Sequence, residues 1–570
     1  MARRISVDPV TRIEGHLRVD CSVADGRVDK AWASGQMWRG IELILRDRDP
    51  REAWLFAQRI CGVCTTVHAI ASVRAVENAL GLPVPPNAQY IRNLIQGAHG
   101  LHDHIVHFYQ LSALDWVDIT HALKADPKKA AALARSLSDW HRNSDSEFQD
   151  VARKLKSFVD SGQLGVFGTG YWDHPAMTLS PEANLMALVH YFQALEYQRV
   201  ANKIVTVLGS KTPHIQNLAV GGVTNPINMD AQSVLNLERL QYIKSLIDEL
   251  DAFTKQVYVP DVAAIGGLYA DWTKYGKGIT NYLSAPDMPL DEKGEKLALP
   301  GGYIRNGDVG TYQPIQGFND AYFEKGVKEA VKHAWYSYSE GDETPLHPYD
   351  GETQPNHTEF QDDGKYSWVK SPTFHGERAQ VGPLANVLCL YAAGHEGTKQ
   401  YANAVLDTAS ETAGTKVGLD ALHSTIGRHA ARAIRGAVLT DTLSDQWQHL
   451  MDNIASGDTT TCNQPEFPDG EVQGYGFHEA PRGILSHWVV IRDGRIANYQ
   501  AVVPTTWNAG PRDEQDRQGP YEAALLDNPV ADPEQPLEVL RTVHSFDPCL
   551  ACAIHLTDAD GGPAVKINTR

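Results

Sequence analysis

The stretch Asp547-Pro548-Cys549-Leu550-Ala551-Cys552-Ala553-Ile554-His555 decides the reading of this chain. It carries two thiols three residues apart, an Asp ahead of them and a His behind. A second cluster, Arg59-Ile60-Cys61-Gly62-Val63-Cys64 followed by His68, lies near the other end. Almost the whole chain separates the two pairs. Either the fold brings four thiolates together, or the chain holds two unrelated dithiols.

At 570 residues the chain can bury a large core. Its balance of 51 basic to 70 acidic residues, a net charge of −19, disfavours nucleic-acid binding, which needs clustered Lys and Arg. No apolar run reaches membrane-spanning length. The N-terminus lacks the apolar segment of a signal peptide. Seven cysteines are too few, and odd in number, for a disulfide framework. Cys21, Cys389 and Cys462 stand alone and are expected to be small buried hydrophobes.

Residues 5–35 alternate as β-structure, with Asp25-Gly26 as a hairpin turn. In Arg12-Ile13-Glu14-Gly15-His16, Glu14 is by default a surface carboxylate, although its neighbours are compatible with burial. Glu42 sits in the apolar run Ile41–Leu45. A buried Glu needs a cation or donors, so the ordinary reading is a salt bridge to a nearby Arg and the functional one a metal. From Cys64 to about Leu80 the apolar spacing is helical. That places the first thiol pair at a helix start, where free N–H groups and Arg59 favour thiolate.

A helix from about Ala88 to Trp116 carries His99, Asp103 and His107 on one face. Core histidines are usually hydrogen-bonded fillers, but Asp103 between two of them is harder to dismiss. Further helices are expected from Asp126-Pro127 to about Ser161, from Ser180-Pro181 to about Gly209, and from Asp230 to a stop at Pro260. Residues 262–380 shift to turns and short strands, with one helix near 326–338. Helices return from Gly382 to about Ser410 and from Asp420 to about Ser456. Strands Leu485–Ile491 and Ile496–Val503 flank an Asp493-Gly494 turn, and a short helix near 536–543 leads into the closing cluster. The expected fold class is α+β, mostly α: a long-helix bundle core with peripheral β-hairpins and irregular insertions. A single domain is expected over 1–555. Its parts are 5–35, the helical 50–260 and 382–456, the insertion 262–380, and a hairpin with the metal-binding segment at 485–555. Residues 556–570 form an extension.

Four thiolates could hold structural zinc, an iron–sulfur cluster or a redox-active metal in soft ligation. A thioredoxin-like dithiol needs a βαβ setting that neither pair has. Spacing alone leaves zinc and a redox metal open.

The flanks add more. Both clusters, with Arg12–His16, His104–Trp116, Ala480–Gly483 and Val502–Asn508, resemble the large catalytic subunit of nickel–iron hydrogenases of the respiratory uptake type. The resemblance runs from about residue 5 to the end. It implies that family's large-subunit fold and a nickel–iron centre whose iron carries CO and two cyanides, Fe(CO)(CN)2. Cys61 and Cys549 would be terminal nickel ligands, Cys64 and Cys552 bridges, and His68 a hydrogen-bond partner of a bridging sulfur. Heterolysis of H2 needs a metal to take hydride and a base to take the proton. Cys549 is the favoured base, because an Arg is a poor one. Arg482, held by Asp103 and Asp547, would be its electrostatic partner. Glu14 would relay the proton, and Pro504 and Thr505 would border the cyanides. Glu42, the Ala501 carbonyl and His555 match a magnesium site, with Fe2+ or zinc as alternatives.

The resemblance also implies an iron–sulfur small subunit as partner, in a heterodimer or a dimer of heterodimers. It implies nickel-insertion proteins and a maturation protease that removes Leu556–Arg570 after His555. The expected location is the periplasm, or the periplasmic side of the membrane, by co-export with the small subunit; the alternative is cytoplasmic. The rival functions are a four-cysteine zinc protein and a non-catalytic subunit of a quinone-reducing respiratory complex. The second of these shares the fold but lacks the cysteines. The first leaves Glu14, Arg482 and Glu42 unexplained.

Overall fold

A computed structural model describes residues 3–162, 164–338, 344–351 and 354–553. His555 and the extension lie outside the described residues. Among those described, no helix is long and apolar enough to cross a membrane.

The N-terminal β-structure is a three-stranded antiparallel sheet of Arg3–Val7, Leu17–Ala24 and Arg27–Gly35. Asp25 and Gly26 both take positive φ at its hairpin, as an Asp-Gly turn requires. Its inward residues Leu17, Val19, Cys21 and Ala33 are fully buried. They join Cys61, Cys64, Cys549 and Cys552 in one apolar cluster, apart from the larger core of the long helices. The four thiols thus sit in the smaller core, where that sheet meets the chain end.

The helices are mostly where their caps put them. Ser180 accepts the Ala183 N–H at the head of Pro181–Gly209, and Asp126 accepts those of Lys128 and Lys129 at the head of Pro127–Leu137. The latter stops at Leu137, earlier than expected. Ser138 is extended, and Ser144 caps a separate helix, Asp145–Ser161. The Asp230 start gives way to Leu237, capped by Asn236. Pro260 does not stop that helix. A π-helical turn at Thr254–Tyr258 widens the ladder, and the proline falls in the first turn of the continuing Val259–Leu268 segment, where its missing N–H has no intrahelical partner to lose. The helix expected at 326–338 is instead Ala321–Gly326, capped by Asp320 and followed by the strand Val327–Ala330. The run from Gly382 is two helices, Pro383–Ala392 and Glu396–Ala413, and the last long helix is Thr425–Ala455.

A second antiparallel sheet joins Glu471–Ala480, Gly483–Arg492 and Arg495–Val502. The sequence reading found the last two strands, whose Asp493-Gly494 hairpin also takes positive φ, and missed the first. The missed strand carries Gly474 and Gly476, poor strand formers, and its packing explains them. The Val67–Leu80 helix lies so close that a Cβ on Gly476 would stand 2.5 Å from Ala71 O and 2.3 Å from Ala75 N, and one on Gly474 2.3 Å from Ala79 N. This contact seats the helix that follows the first thiol pair. Cys21 and Cys389 are buried as expected, whereas Cys462 is only half-buried, bridged through its backbone to Gly222.

Gly476→Val should lower stability by ~1–3 kcal/mol or more, the usual cost of overpacking. Thermal unfolding beside a Gly418→Val control, whose added Cβ meets nothing within 4 Å on an extended backbone, checks it.

Candidate metal centre

The two thiol pairs meet. Cys61 Sγ lies 3.2 Å from Cys549 Sγ, and Cys64 Sγ lies 2.9 Å from Cys552 Sγ and 3.7 Å from Cys549 Sγ. All four ligand atoms fall within 4.8 Å of one another, and all four residues are buried. No disulfide joins them. A soft, thiophilic metal fits this donor set.

Cys61 does not owe its charge to a helix start. The helix begins only at Val67, and Arg59 turns away to donate to Leu55 O. Instead the N–H groups of Val63 and Cys64 donate to Cys61 Sγ at 3.2 and 3.1 Å. Burial raises the Cys61 pKa, but hydrogen bonds from the other three thiols and the charge of Arg482 outweigh it and hold the thiol well below its usual range. Burial drives Cys64 up to about 11 and Cys549 and Cys552 well above the normal thiol value.

Arg482 stands over this group. It reaches Asp103 Oδ2 and Asp547 Oδ1, each at 2.9 Å, and Asp547 O at 3.0 Å through Nε. Burial pushes the Asp103 carboxyl up, yet His99, His102 and Arg482 bring it down to about 2. For Asp547 burial wins over Arg482 and Arg432, and the pKa is raised. The turn that carries Arg482 is held by two arginines missed in the sequence. Arg435 donates to Glu479 O and Ala480 O, and Arg432 to Pro481 O at 3.2 Å and Asp547 Oδ2 at 3.3 Å. The signal was available: Arg428, Arg432 and Arg435 share one face of a helix otherwise rich in buried apolar residues.

Glu14 is half-buried. Its Oε2 lies 3.6 Å from Cys549 Sγ and accepts the Ala551 N–H at 3.0 Å. Burial and the Cys61 charge raise its pKa to about 7. The backbone pairs too: Leu550 N donates to Glu14 O at 2.7 Å, and Glu14 N to Pro548 O at 3.3 Å. Arg39, also missed, ties both clusters by donating to Ile60 O and to Ala551 O. His68 Nε2 is 3.3 Å from Cys552 Sγ, and burial lowers its pKa to about 4. Thr505 Oγ1 accepts the Cys549 N–H at 3.2 Å, and with Pro504 it lines a small cavity shared with Arg482, Cys64, Cys549 and Cys552.

Glu42 is apart from this group. Its Oε1 accepts the Ala501 N–H at 3.0 Å, and the nearby cation is Lys370, 3.9 Å away, where an Arg was the ordinary expectation. Lys370 also binds Glu329 at 2.9 Å and Gln500 Oε1 at 2.8 Å. Glu329 Oε1 is buried without a hydrogen-bond partner.

Gly15 has φ +83°, and a Cβ there would stand 2.5 Å from Ala551 N. Gly15→Ala should therefore keep the closing segment from docking. Nickel content of the purified protein should fall at least tenfold against wild type, with the helical circular dichroism unchanged.

Residues 39–555 match the family described as nickel-dependent hydrogenase, and residues 4–32 match a family described as HoxL-like. The chain is 57% identical over 568 residues to the Hydrogenase-2 large chain of Escherichia coli K12, covering 100% of both. It is 47% identical over 595 residues to the uptake hydrogenase large subunit of Bradyrhizobium diazoefficiens, covering 100% of this chain and 98% of that one. Among solved structures, the Ni-Fe-Se hydrogenase from D. vulgaris Hildenborough shares 31% identity at a TM-score of 0.76, over 97% of this chain and 100% of that chain. The Ni-Fe-Se hydrogenase from Desulfomicrobium baculatum gives a TM-score of 0.75 at 31% identity, with the same coverage. Four buried thiols converging from both ends of a chain that aligns with these relatives along nearly its full length lead to one conclusion: the protein belongs to the nickel-dependent hydrogenase family, as its large, catalytic subunit.

Proposed function

We propose that this subunit splits H2 heterolytically at a nickel–iron centre held by Cys61, Cys64, Cys549 and Cys552, with Cys549 as proton acceptor and Glu14 as the first relay. The carrying observation is the Cys549 Sγ–Glu14 Oε2 approach of 3.6 Å beside the four-thiol group. When bound, the metals, with CO and cyanide on the iron, supply the acceptor for the electron pair of H2. Cys61, Cys64, Cys549 and Cys552 would hold them. One proton passes to Cys549 Sγ and on to Glu14, whose pKa of about 7 lets it both take and release a proton near neutrality. Arg482 keeps its charge, since Asp547 and Asp103 hold it, so it orients and stabilises without serving as base. Pro504 and Thr505 line the small cavity beside the thiols and would border the iron's ligands. The electrons leave to an iron–sulfur small subunit.

A second, oxygen-ligated cation, Mg2+ or Fe2+, belongs near Glu42, with the Ala501 carbonyl and His555. The support is the carboxylate and amide oxygens of Glu42, Glu329 and Gln500 gathered around Lys370, one of them without a partner. We also infer that nickel-insertion proteins load the site before a protease cuts after His555. Intact mass of active enzyme should end at His555, and active protein retaining Leu556–Arg570 would contradict this.

Purified heterodimer should contain nickel near one per chain together with iron, and should reduce a dye with H2; zinc alone would overturn the reading. In Glu14→Gln, H2 oxidation should drop ~10²-fold or more, as for loss of a general acid–base group, with nickel retained. The pH profile carries the sign. Below about pH 7 Glu14 is already protonated and cannot accept, so wild-type oxidation should decline there, and this inflection should vanish in the variant.

A further inference from the structure

A second hydrogen-bonded chain starts at Cys552. Beyond its 3.3 Å approach to that sulfur, His68 places Nδ1 3.0 Å from His487 Nε2. His487 Nδ1 lies 2.5 Å from the Tyr499 hydroxyl, which is 2.8 Å from Ser72 Oγ. All four residues are at most 1% exposed. His68 and Ser72 are four apart on one face of the Val67–Leu80 helix. His487 and Tyr499 come from adjacent strands, Tyr499 pairing with Val489, two residues from His487. The chain therefore leaves the helix, crosses two strands and returns.

Counting protons gives it a direction. This step rests on the reading of Cys552 as a metal-bound thiolate, which has no proton to donate. Its bond to His68 then needs Nε2–H. A neutral imidazole has one N–H, so His68 Nδ1 is an acceptor and His487 must donate from Nε2. His487 Nδ1 is then also an acceptor, and its donor is the Tyr499 phenol. The same hydroxyl is directed to Ser72 Oγ, so the phenol shares its one proton between that oxygen and the nearer His487 Nδ1. The opposite direction would turn the bare Nε2 of His68 toward the thiolate. Burial keeps the phenol protonated, so Tyr499 always has a proton to give.

We propose that His487 and Tyr499 are positioning residues for the metal centre: the Tyr499 phenol, acting through His487, fixes His68 in the tautomer that donates Nε2–H to the sulfur of Cys552. Both act on the sulfur through His68. Each bond in such a chain polarises the next, so the phenol also strengthens the last bond.

The test is pulsed EPR of nickel-loaded heterodimer labelled with 15N-histidine, with nickel content measured on each sample. Wild type should show one coupled histidine nitrogen, and His68→Gln should abolish it. Tyr499→Phe removes the donor to His487 Nδ1 and should at least halve the coupling at unchanged nickel content. Ser72→Ala leaves the phenol His487 to bond, so the coupling should persist. An unchanged coupling in Tyr499→Phe, an equal loss in Ser72→Ala, or loss of nickel from Tyr499→Phe overturns the proposal. Survival of the coupling in His68→Gln does so too. Nickel-free wild type would instead overturn the reading of the cysteines, and the proposal with it.

Discussion

The centre depends on the backbone pairing between Glu14 and the Pro548–Leu550 segment. Closing a loop of several hundred residues costs about 5 kcal/mol in chain entropy, by the logarithmic dependence on length. Two backbone hydrogen bonds of ~1 kcal/mol each do not meet that. The rest comes from what surrounds them. Arg12 and His544 share the buried carboxyl of Asp115, and His544 also bonds Thr11 O. Arg541 donates to Asp115 O. The N-terminal segment and the helix Leu537–Ser545 are thereby fixed to the same residue of a third element. The apolar cluster of Leu17, Val19, Val543 and Leu550 closes around them.

That closure produces an electrostatic problem that the protein alone leaves half solved. Four thiols within 4.8 Å cannot all ionise, because each added thiolate raises the others. Hydrogen bonds from the other three thiols and the charge of Arg482 outweigh burial for one of them, Cys61. The remaining three need a cation of higher charge. Arg482 cannot be spent further, since Asp103 and Asp547 already claim it. Removing either carboxylate would leave Arg482 with a single ionic partner.

Local rules account for what the sequence disclosed. Asp25-Gly26 and Asp493-Gly494 mark hairpins because Asp and Gly tolerate positive φ, and Ser180 and Asp126 mark helix starts because their oxygens accept free N–H groups. Residues whose role is set by a distant partner were beyond such rules. Nothing near Gly476 announces the helix against it, and nothing near Pro260 announces a π-turn six residues earlier. Arg59 seemed the natural partner of Cys61 from its position, but Arg482 supplies the charge. The four cysteines stood out by their spacing and Asp103 by its flanking histidines, whereas the roles of Glu14 and Arg482 came only from flanking residues that resembled a known family. The placement of Arg39, Arg432, His487 and Tyr499 needed the fold.

The two thiols of the closing pair receive different surroundings from a single turn of chain. Cys549 stands at the end of the segment paired with Glu14 and meets a carboxyl that titrates near neutrality. Cys552, three residues on, meets His68, whose neutrality burial enforces. In the proposed mechanism Cys549 gains and loses a proton, which a titrating neighbour suits, and Cys552 stays a thiolate, which a fixed donor suits. The short Leu550–Ala553 turn separates the two environments while keeping the sulfurs 2.9 Å apart. A C-x-x-C spacing can therefore give two identical side chains unlike chemistry, provided the fold supplies a different neighbour to each.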